Sequence, residues 1–408
     1  MSVFRLTLAA IILLLQTYLY LRVRTYIRTK TILPRWVNYL VTFLFVIFSA
    51  SLLYVASNFF RIAHQLQDML VLVNLFYIWH GATFFIALVL LCVSIIKLPF
   101  RTSYYVLKKH PKIKERMMLL KSTPEYQKFD ASRRAFLEKS VIGLTAYSFV
   151  GASAGVIGTD EYDVVKRTIA IPNLPEEFKG FTIGMMSDVH SSAMMNKEDM
   201  LAYVRAMNEL KTDLIVVTGD FVNSQTEEVY PFAEAFSELK ADYGIYGCLG
   251  NHDYFTRNVD YVAKRIDDCG VKLLRNDAVK IQKGNSFINM LGVDDVERNT
   301  DPDAYIVPAL GAANNDVPKI LLCHKPYYME NFEKHNIDLT LSGHTHGGQV
   351  VFVKIGDMYI TPATLFSKYV WGLYRQGSAQ LYVNRGIGSV GLPFRVNCPP
   401  ELTKITLA

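Results

Sequence analysis

Acidic residues are almost missing from the first 158 of 408 residues, which hold 5 Asp+Glu against 19 Lys+Arg. Residues 159–408 hold 32 and 24, so the formal +6 of the whole chain describes neither part. The chain is also poor in cysteine. Cys92, Cys248, Cys269, Cys323 and Cys398 stand apart with no C-x-x-C or paired spacing, which argues against a disulfide framework. Cys248 and Cys323 read as small buried hydrophobes at strand ends. No Gly-rich nucleotide-binding loop of Walker type occurs, and there is no internal repeat or low-complexity tract. The basic excess of the front lies beside apolar runs, a pattern of membrane topology rather than of nucleic-acid binding.

Long apolar runs are what the front does have. Residues 3–21, 36–57 and 71–97 are each long enough to cross a hydrocarbon core as a helix, which takes about 20 residues. Arg22, Arg24, Arg28, Lys30 and Arg35 crowd the first connection, whereas the second, Asn58 to Met69, carries only Arg61 and Asp68. A third basic cluster runs from Lys97 through Lys121. Basic connections stay cytoplasmic, so the expected topology puts residues 98–139 inside and residue 160 onward outside. Gln16 and His80 fall within the spans and read as helix-packing groups, since neither has a carboxylate partner in its own span.

Ser132-Arg133-Arg134-Ala135-Phe136-Leu137-Glu138-Lys139, followed by the apolar run Val141 to Ile157, resembles a twin-arginine export signal in an internal position. A fourth span with a basic flank is the alternative for 140–158, and both readings carry the rest of the chain outward. Ala152-Ser153-Ala154 is of cleavage-site type, a triplet common in such runs. The expected organisation is therefore three transmembrane helices in 1–97, a basic cytoplasmic connection in 98–139, the 140–158 run, and a globular domain in 159–408.

That domain reads as α/β. Short Val-, Ile- and Leu-rich strands are expected at 164–171, 181–186, 213–217, 244–249, 286–293, 320–323, 338–341, 380–383 and 403–407. Helical spacing falls between them at 197–210, 229–239 and 259–269, while 299–303 and 311–316 read as loops. Alternating strands and helices indicate a layered sheet with helices.

Five segments follow strand-type runs: Ser187-Asp188-Val189-His190, Gly219-Asp220, Gly250-Asn251-His252-Asp253, Cys323-His324, and Gly343-His344-Thr345-His346-Gly347-Gly348. Ligands gather at the carboxyl edge of such sheets. Asp188 and His190, two apart, can turn toward one ion. Asp220 is the candidate to bridge two ions with its two oxygens, and Asn251 offers a neutral oxygen. His324, His344 and His346 add imidazoles. Nitrogen and oxygen donors without thiolate suit Mn, Fe or Zn. Two such ions polarise a phosphoryl oxygen and acidify a bridging water, whose hydroxide attacks phosphorus in line. The leaving group needs a proton, and His252 beside Asn251 is placed to give it, with Asp253 to orient the imidazole. Any one of these residues alone would pass as a core histidine or turn aspartate; five segments in order do not.

From Thr168 to Ala408 the chain resembles a calcineurin-like metallophosphoesterase in its ordered D-x-H, G-D-x-x-N, G-N-H-D, H and G-H-x-H segments. The resemblance implies a two-sheet βαβ sandwich with a dinuclear site. It implies one ion on Asp188, His190, Asp220 and His346, and a second on Asp220, Asn251, His324 and His344. His252 would be the catalytic acid, and Asn223 would position its loop. The stretch Asn384 through Glu401 resembles the bacterial membrane-attached branch. The expectation is a membrane-anchored phosphohydrolase of the cytoplasmic membrane, its catalytic domain on the outer face. Its partners would be the membrane and a phosphorylated substrate, lipids among the candidates, with no nucleic acid. Two alternatives stand beside it: a pyrophosphatase of UDP-acylglucosamine type on the cytoplasmic face, and a catalytically silent membrane sensor.

Overall fold

The computed structural model describes residues 2–29, 33–62, 70–157, 161–297, 300–313, 317–351, 353–355, 358–390 and 395–408. It forms two compact units, Met1–Val156 and Ile157–Ala408.

The first unit is helical: α1 Ser2–Thr29, α2 Arg35–Ile62, α3 Leu70–Leu107, α4 Pro111–Ser122 and α5 Pro124–Ile157. Leu6–Thr29, Arg35–Ser57 and Val71–Leu107 have the length and composition to cross a membrane. The expected runs lie on these three helices, but α1 and α3 continue well beyond their apolar stretches, α3 through Pro99. The 140–158 run is the second half of α5, which is not among the membrane-length apolar helices found in the described residues. Most of the second connection, 63–69, and residues 158–160 lie outside the described residues.

The second unit opens with β1 Asp163–Ile169, β2 Thr182–Met186, α6 Lys197–Glu209, β3 Leu214–Thr218, α7 Val229–Phe236, β4 Ile245–Cys248 and α8 Val259–Asp268. Then come β5 Val271–Leu273, β6 Asp277–Lys283, β7 Ser286–Gly292, α9 Asp303–Gly311, β8 Lys319–Leu322, α10 Met329–Lys334 and β9 Leu339–Ser342. The chain closes with β10 Val353–Ile355, β11 Met358–Ile360, β12 Gly372–Gln376, β13 Ala379–Val383 and β14 Glu401–Leu407. One six-stranded sheet runs β1-β14-β2-β3-β4-β5, the other β12-β13-β9-β8-β7-β6, and β10-β11 is a separate hairpin. The sheets are mixed. β2 through β5 are parallel neighbours, as are β7, β8, β9 and β13.

Strand side chains alternate between faces, and this builds the layers. Leu214 and Val216 of β3 join Ile320 and Leu322 of β8 in the core between the sheets. Ile215 and Val217 face the other way, onto Val204, Phe232 and Ile266 of α6, α7 and α8. Leu321, Leu381 and Val383 meet Ile306 of α9 and Phe332 of α10. The result is a helix–sheet–sheet–helix sandwich. α6 starts where its sequence says: Asn196 accepts from Asp199 N, and Asp199 answers to Asn196 N, a reciprocal cap. One loop expectation fails. Asp303, assigned to a loop, opens α9, where its carboxylate takes Asn331, Lys334 and His335 of the α10 region. Asn299, also assigned there, lies outside the described residues, as do 314–316 of the second expected loop.

Candidate metal centre

Five parallel strands deliver the site at one edge. Asp188 and His190 follow β2, Asp220 follows β3, and Asn251 and His252 follow β4. His324 follows β8, and His344 and His346 follow β9. Asp188, His190, Asp220, His344 and His346 all sit at positive φ, between 50° and 72°. Non-glycine residues adopt that region at a cost and cluster there at functional sites. Backbone bonds hold the turns in place: Asp188 N donates to Gly219 O at 3.1 Å and His190 N to Asp220 O at 2.9 Å. Glycines clear the space. A Cβ on Gly250 would collide with the Asp220 carboxylate, and one on Gly343 with that of Asp188.

The carboxylate of Asp220 divides its work. Oδ1 accepts His252 N at 2.8 Å. Oδ2 lies 3.5 Å from His190 Nε2 and 3.2 Å from His324 Nε2, between two groups of imidazoles. On one side His346 Nε2 is 3.0 Å from His190 Nε2 and 3.4 Å from Asp188 Oδ1. On the other, His344 Nδ1 is 3.2 Å from His324 Nε2. Asn251 Oδ1 is buried with no hydrogen-bond partner among the described residues. Three sets converge closely enough to hold a cation: Asp188–His190–His346, His190–Asp220–His252 and Asp220–His324–His344.

The rear ring atoms fix these orientations. His324 Nδ1 is 2.9 Å from Thr218 O, and His252 Nδ1 2.6 Å from Asn223 O. A proton on Nδ1 that donates to a carbonyl leaves Nε2 directed into the site. Electrostatics agree. Burial opposes charge on His324, but Asp220, bonded to it, and Asp188 outweigh burial and push it up to about 10. Burial and the His324 charge push His344 down to about 3, while His190 and His346 fall well below 6.5 for the same kind of reason. Burial thus favours the neutral form of His190, His344 and His346, each with one lone-pair nitrogen, beside the buried Asp188 and Asp220 carboxylates. The unpaired Asn251 oxygen and the facing nitrogens fit two ions of borderline character. The buried thiols do not compete, since burial pushes Cys323 up to about 12 and Cys248 well above 9.

Residues 181–348 match the Calcineurin-like phosphoesterase family. The chain is 32% identical over 288 residues to the metallophosphoesterase YkuE of Bacillus subtilis, covering 68% of this chain and 97% of that protein. The chain belongs to the calcineurin-like metallophosphoesterase family. It is also 31% identical over 254 residues to a transmembrane protein with metallophosphoesterase domain from Danio rerio, covering 60% of this chain. The chain spans 57% of the length of that zebrafish relative. A third metallophosphoesterase, from Aquifex aeolicus, is 32% identical over 253 residues, 91% of its length.

One sequence expectation is corrected. Asp253 does not orient His252. Its carboxylate accepts four backbone N–H groups, those of Asp220, Phe221, Val222 and Gly250, at 3.1, 2.9, 3.1 and 2.8 Å. The turn after β4 sends it back under the Gly219–Val222 loop, so Asp253 is a loop anchor, and the Asn223 carbonyl orients His252. Glu228, unnoticed in the sequence, fixes that carbonyl's loop by accepting from Asn223, Ser224 and Gln225 N at 2.9, 2.7 and 2.9 Å. The later segment that resembles the membrane-attached branch closes the back of the site. Ser187 Oγ joins the Asp188 carboxylate to Asn384, and Gly388 O lies 3.3 Å from His346 Nδ1. Arg395 Nη2 donates to the same Gly388 oxygen. Residues 391–394 of this segment lie outside the described residues.

Proposed function

We propose that the chain is a membrane-anchored phosphohydrolase with two transition-metal ions, Mn, Fe or Zn. The observation that carries this reading is Asp220 Oδ2, placed between His190 and His324 with imidazoles on both flanks. Asp188, His190, Asp220 and His346 would hold one ion; Asp220, Asn251, His324 and His344 would hold the other. When bound, the pair supplies charge to polarise the phosphoryl oxygen and to acidify a water.

The chain supplies the rest. His252 keeps its Nδ1 proton on Asn223 O, so Nε2 is the atom that carries the transferable proton. As the phosphorus–oxygen bond breaks, that proton passes to the departing oxygen, and the added water's oxygen stays on phosphorus. Asp253 and Glu228 keep the two loops still, which holds His252 in register with Asp220. The test is full-length protein in detergent against phosphate monoesters, diesters, pyrophosphates and phospholipids. Hydrolysis should vanish on chelation and return with metal; no hydrolysis of any member would sink the reading.

The same proposal places the catalytic unit outside the cytoplasmic membrane. Basic clusters flank the first and third spans on one side. Arg133 and Arg134 are displayed on α5 and pair with Asp130 at 2.6 and 2.5 Å. Phe149, within the 140–158 run, packs on the Leu19–Ile86–Ala87 cluster of the apolar helices. Protease added to spheroplasts should digest the wild-type domain. Arg133→Lys with Arg134→Lys should protect it if the export signal operates; digestion of both leaves an ordinary fourth span, and a protected wild type overturns the topology.

A further inference from the structure

Leu365 and Phe366 are 80% and 82% exposed, more than any large apolar side chain of the described apolar helices. Both belong to the sandwich unit, whose other large apolar residues are mostly buried. Ile360, just before them, is also exposed. We propose that this 360–366 loop dips into the bilayer and that the metal centre beside it takes a phosphate ester carried by a lipid. The second half of the statement rests on the phosphohydrolase reading; the first does not.

The loop is built to enter hydrocarbon, where backbone groups must find partners within the chain. Residues Pro362–Leu365 form a single 3₁₀ turn that satisfies much of its own hydrogen bonding. Phe366 N and Ser367 N donate to Ala363 O at 3.0 and 2.9 Å, Thr364 N donates to Thr361 O at 3.1 Å, and Thr364 Oγ1 donates to Thr361 O at 2.6 Å. Flanking residues match the layer above. Tyr359 and Trp371 pack ring on ring at 3.8 Å, and Lys354 lies over both, at 5.7 and 5.6 Å. Between 349 and 376 the chain carries Lys354, Lys368 and Arg375 against one acidic residue, Asp357. Aromatic rings and lysines around an apolar tip are the composition of a headgroup-level anchor on an anionic leaflet. The chain that carries this loop also carries three membrane-length helices.

The loop is fastened to the site. Thr361 Oγ1 contacts Gly348 O at 3.4 Å, and Thr345 Oγ1, between two proposed ligands, donates to Val370 O at 2.5 Å. Two further exposed aromatics touch the centre: Phe255 stands 4.7 Å from the His252 ring, and Tyr327 5.4 Å from that of His344. An apolar rim around a charged centre suits an amphiphile whose phosphate enters while its tails stay in the bilayer. The loop also lies beyond the residues 181–348 that match the family.

The test uses the full chain in nanodiscs of phosphatidylcholine and phosphatidylglycerol. Leu365→Ser with Phe366→Ser should lower turnover of phosphatidic acid in the disc at least about tenfold, since less apolar area holds the rim to the interface. Turnover of soluble nitrophenyl phosphate should stay unchanged. An unchanged lipid rate, or an equal loss on both esters, overturns the proposal, and so does a wild type that hydrolyses only the soluble ester. Insertion is read separately, in the Asp220→Asn chain, with a benzophenone amino acid at position 366. Cross-links to lipid support it; cross-links to protein, or none, overturn it. Lipid cross-links with no hydrolysis of either ester by the wild type would sink the hydrolase and its lipid substrate and leave the membrane contact standing.

Discussion

Leu14 and Tyr39 of the helical unit are 71% and 73% exposed, while Ile183 and Leu341 of the sandwich are at 0%. Polar groups show the opposite trend. Gln16, His80 and Thr83 are buried among the apolar helices and bond to one another, Gln16 Nε2 lying 2.7 Å from His80 Nδ1 and 3.1 Å from Thr83 Oγ1. In the sandwich Asp188, His190, Asp220, His324 and His346 are buried just after strand ends and converge on one point. On the membrane-anchored reading proposed above, the two units are folded for different solvents. In hydrocarbon, apolar surface is not driven inward, so a few polar contacts and close packing set the helix arrangement. In water, apolar burial drives the fold and can hold buried charge at one edge. Leu365 and Phe366 belong to the water-folded unit but follow the rule of the lipid-folded one.

The largest effect should come from the charge at the centre of the sandwich. Asp220→Asn removes the one carboxylate, among the described residues, found within 3.5 Å of both His190 and His324. Bound metal should fall from two equivalents toward none, and turnover to background, by elemental analysis and phosphate release. A variant that kept both metals and its rate would show that Asp220 is not shared. Next is His252→Ala, which should keep the metals and lose about 10²–10⁴ in turnover on alkyl esters. The loss should shrink with nitrophenolate, which leaves without needing a proton. Equal losses on both would remove the acid role.

How much of this was legible beforehand follows the same division. Strands β2, β3, β4, β8 and β9 run as apolar stretches straight into Asp, Asn or His, so strand and ligand announce one another. Strands β5, β6, β10, β11 and β12 escaped notice because they are edge-proximal, short or half polar, as in Asp277–Lys283. The partner of His252 was not legible either. Its sequence neighbour Asp253 was the natural candidate, yet successive side chains of that turn point apart, and a carbonyl carries no sequence signal. Leu365-Phe366 reads like any short core run until its exposure is seen.

Asp253→Ala sharpens the water-folded half of the comparison. Four buried N–H groups lose their acceptor at once. Each buried unsatisfied group costs about 1–3 kcal/mol, and entering water would recover part of that, so a loss of roughly 3 kcal/mol is expected. Thermal unfolding followed in the sandwich should drop accordingly. Because the loop it anchors carries both Asp220 and the carbonyl on His252, metal affinity should fall with it. A stable variant with intact affinity would mean the loop holds itself.

The smallest effect should be Gln16→Leu, and it bears most directly on the contrast between the units. Like Asp253→Ala, it deletes a buried polar side chain that bonds across the structure, here to His80 and Thr83 of α3. If the two units obeyed one rule, the cost would be similar. It should not be. If α1 and α3 span a membrane as proposed, Gln16 and His80 already lie in it before the helices associate, and each finds lipid headgroups, water defects or its own backbone there. The folded contact therefore gains little over that reference. Interhelical hydrogen bonds in membranes average about 0.6 kcal/mol and reach about 1.7. Leucine also fills much of the space that glutamine leaves, so packing against the Phe76 and Phe48 rings around His80 persists. Reversible unfolding in bicelles should show a shift of about that size, with metal content and hydrolysis untouched. A loss comparable to that of Asp253→Ala would mean that the Gln16–His80–Thr83 contact, and not helix packing, holds the bundle together.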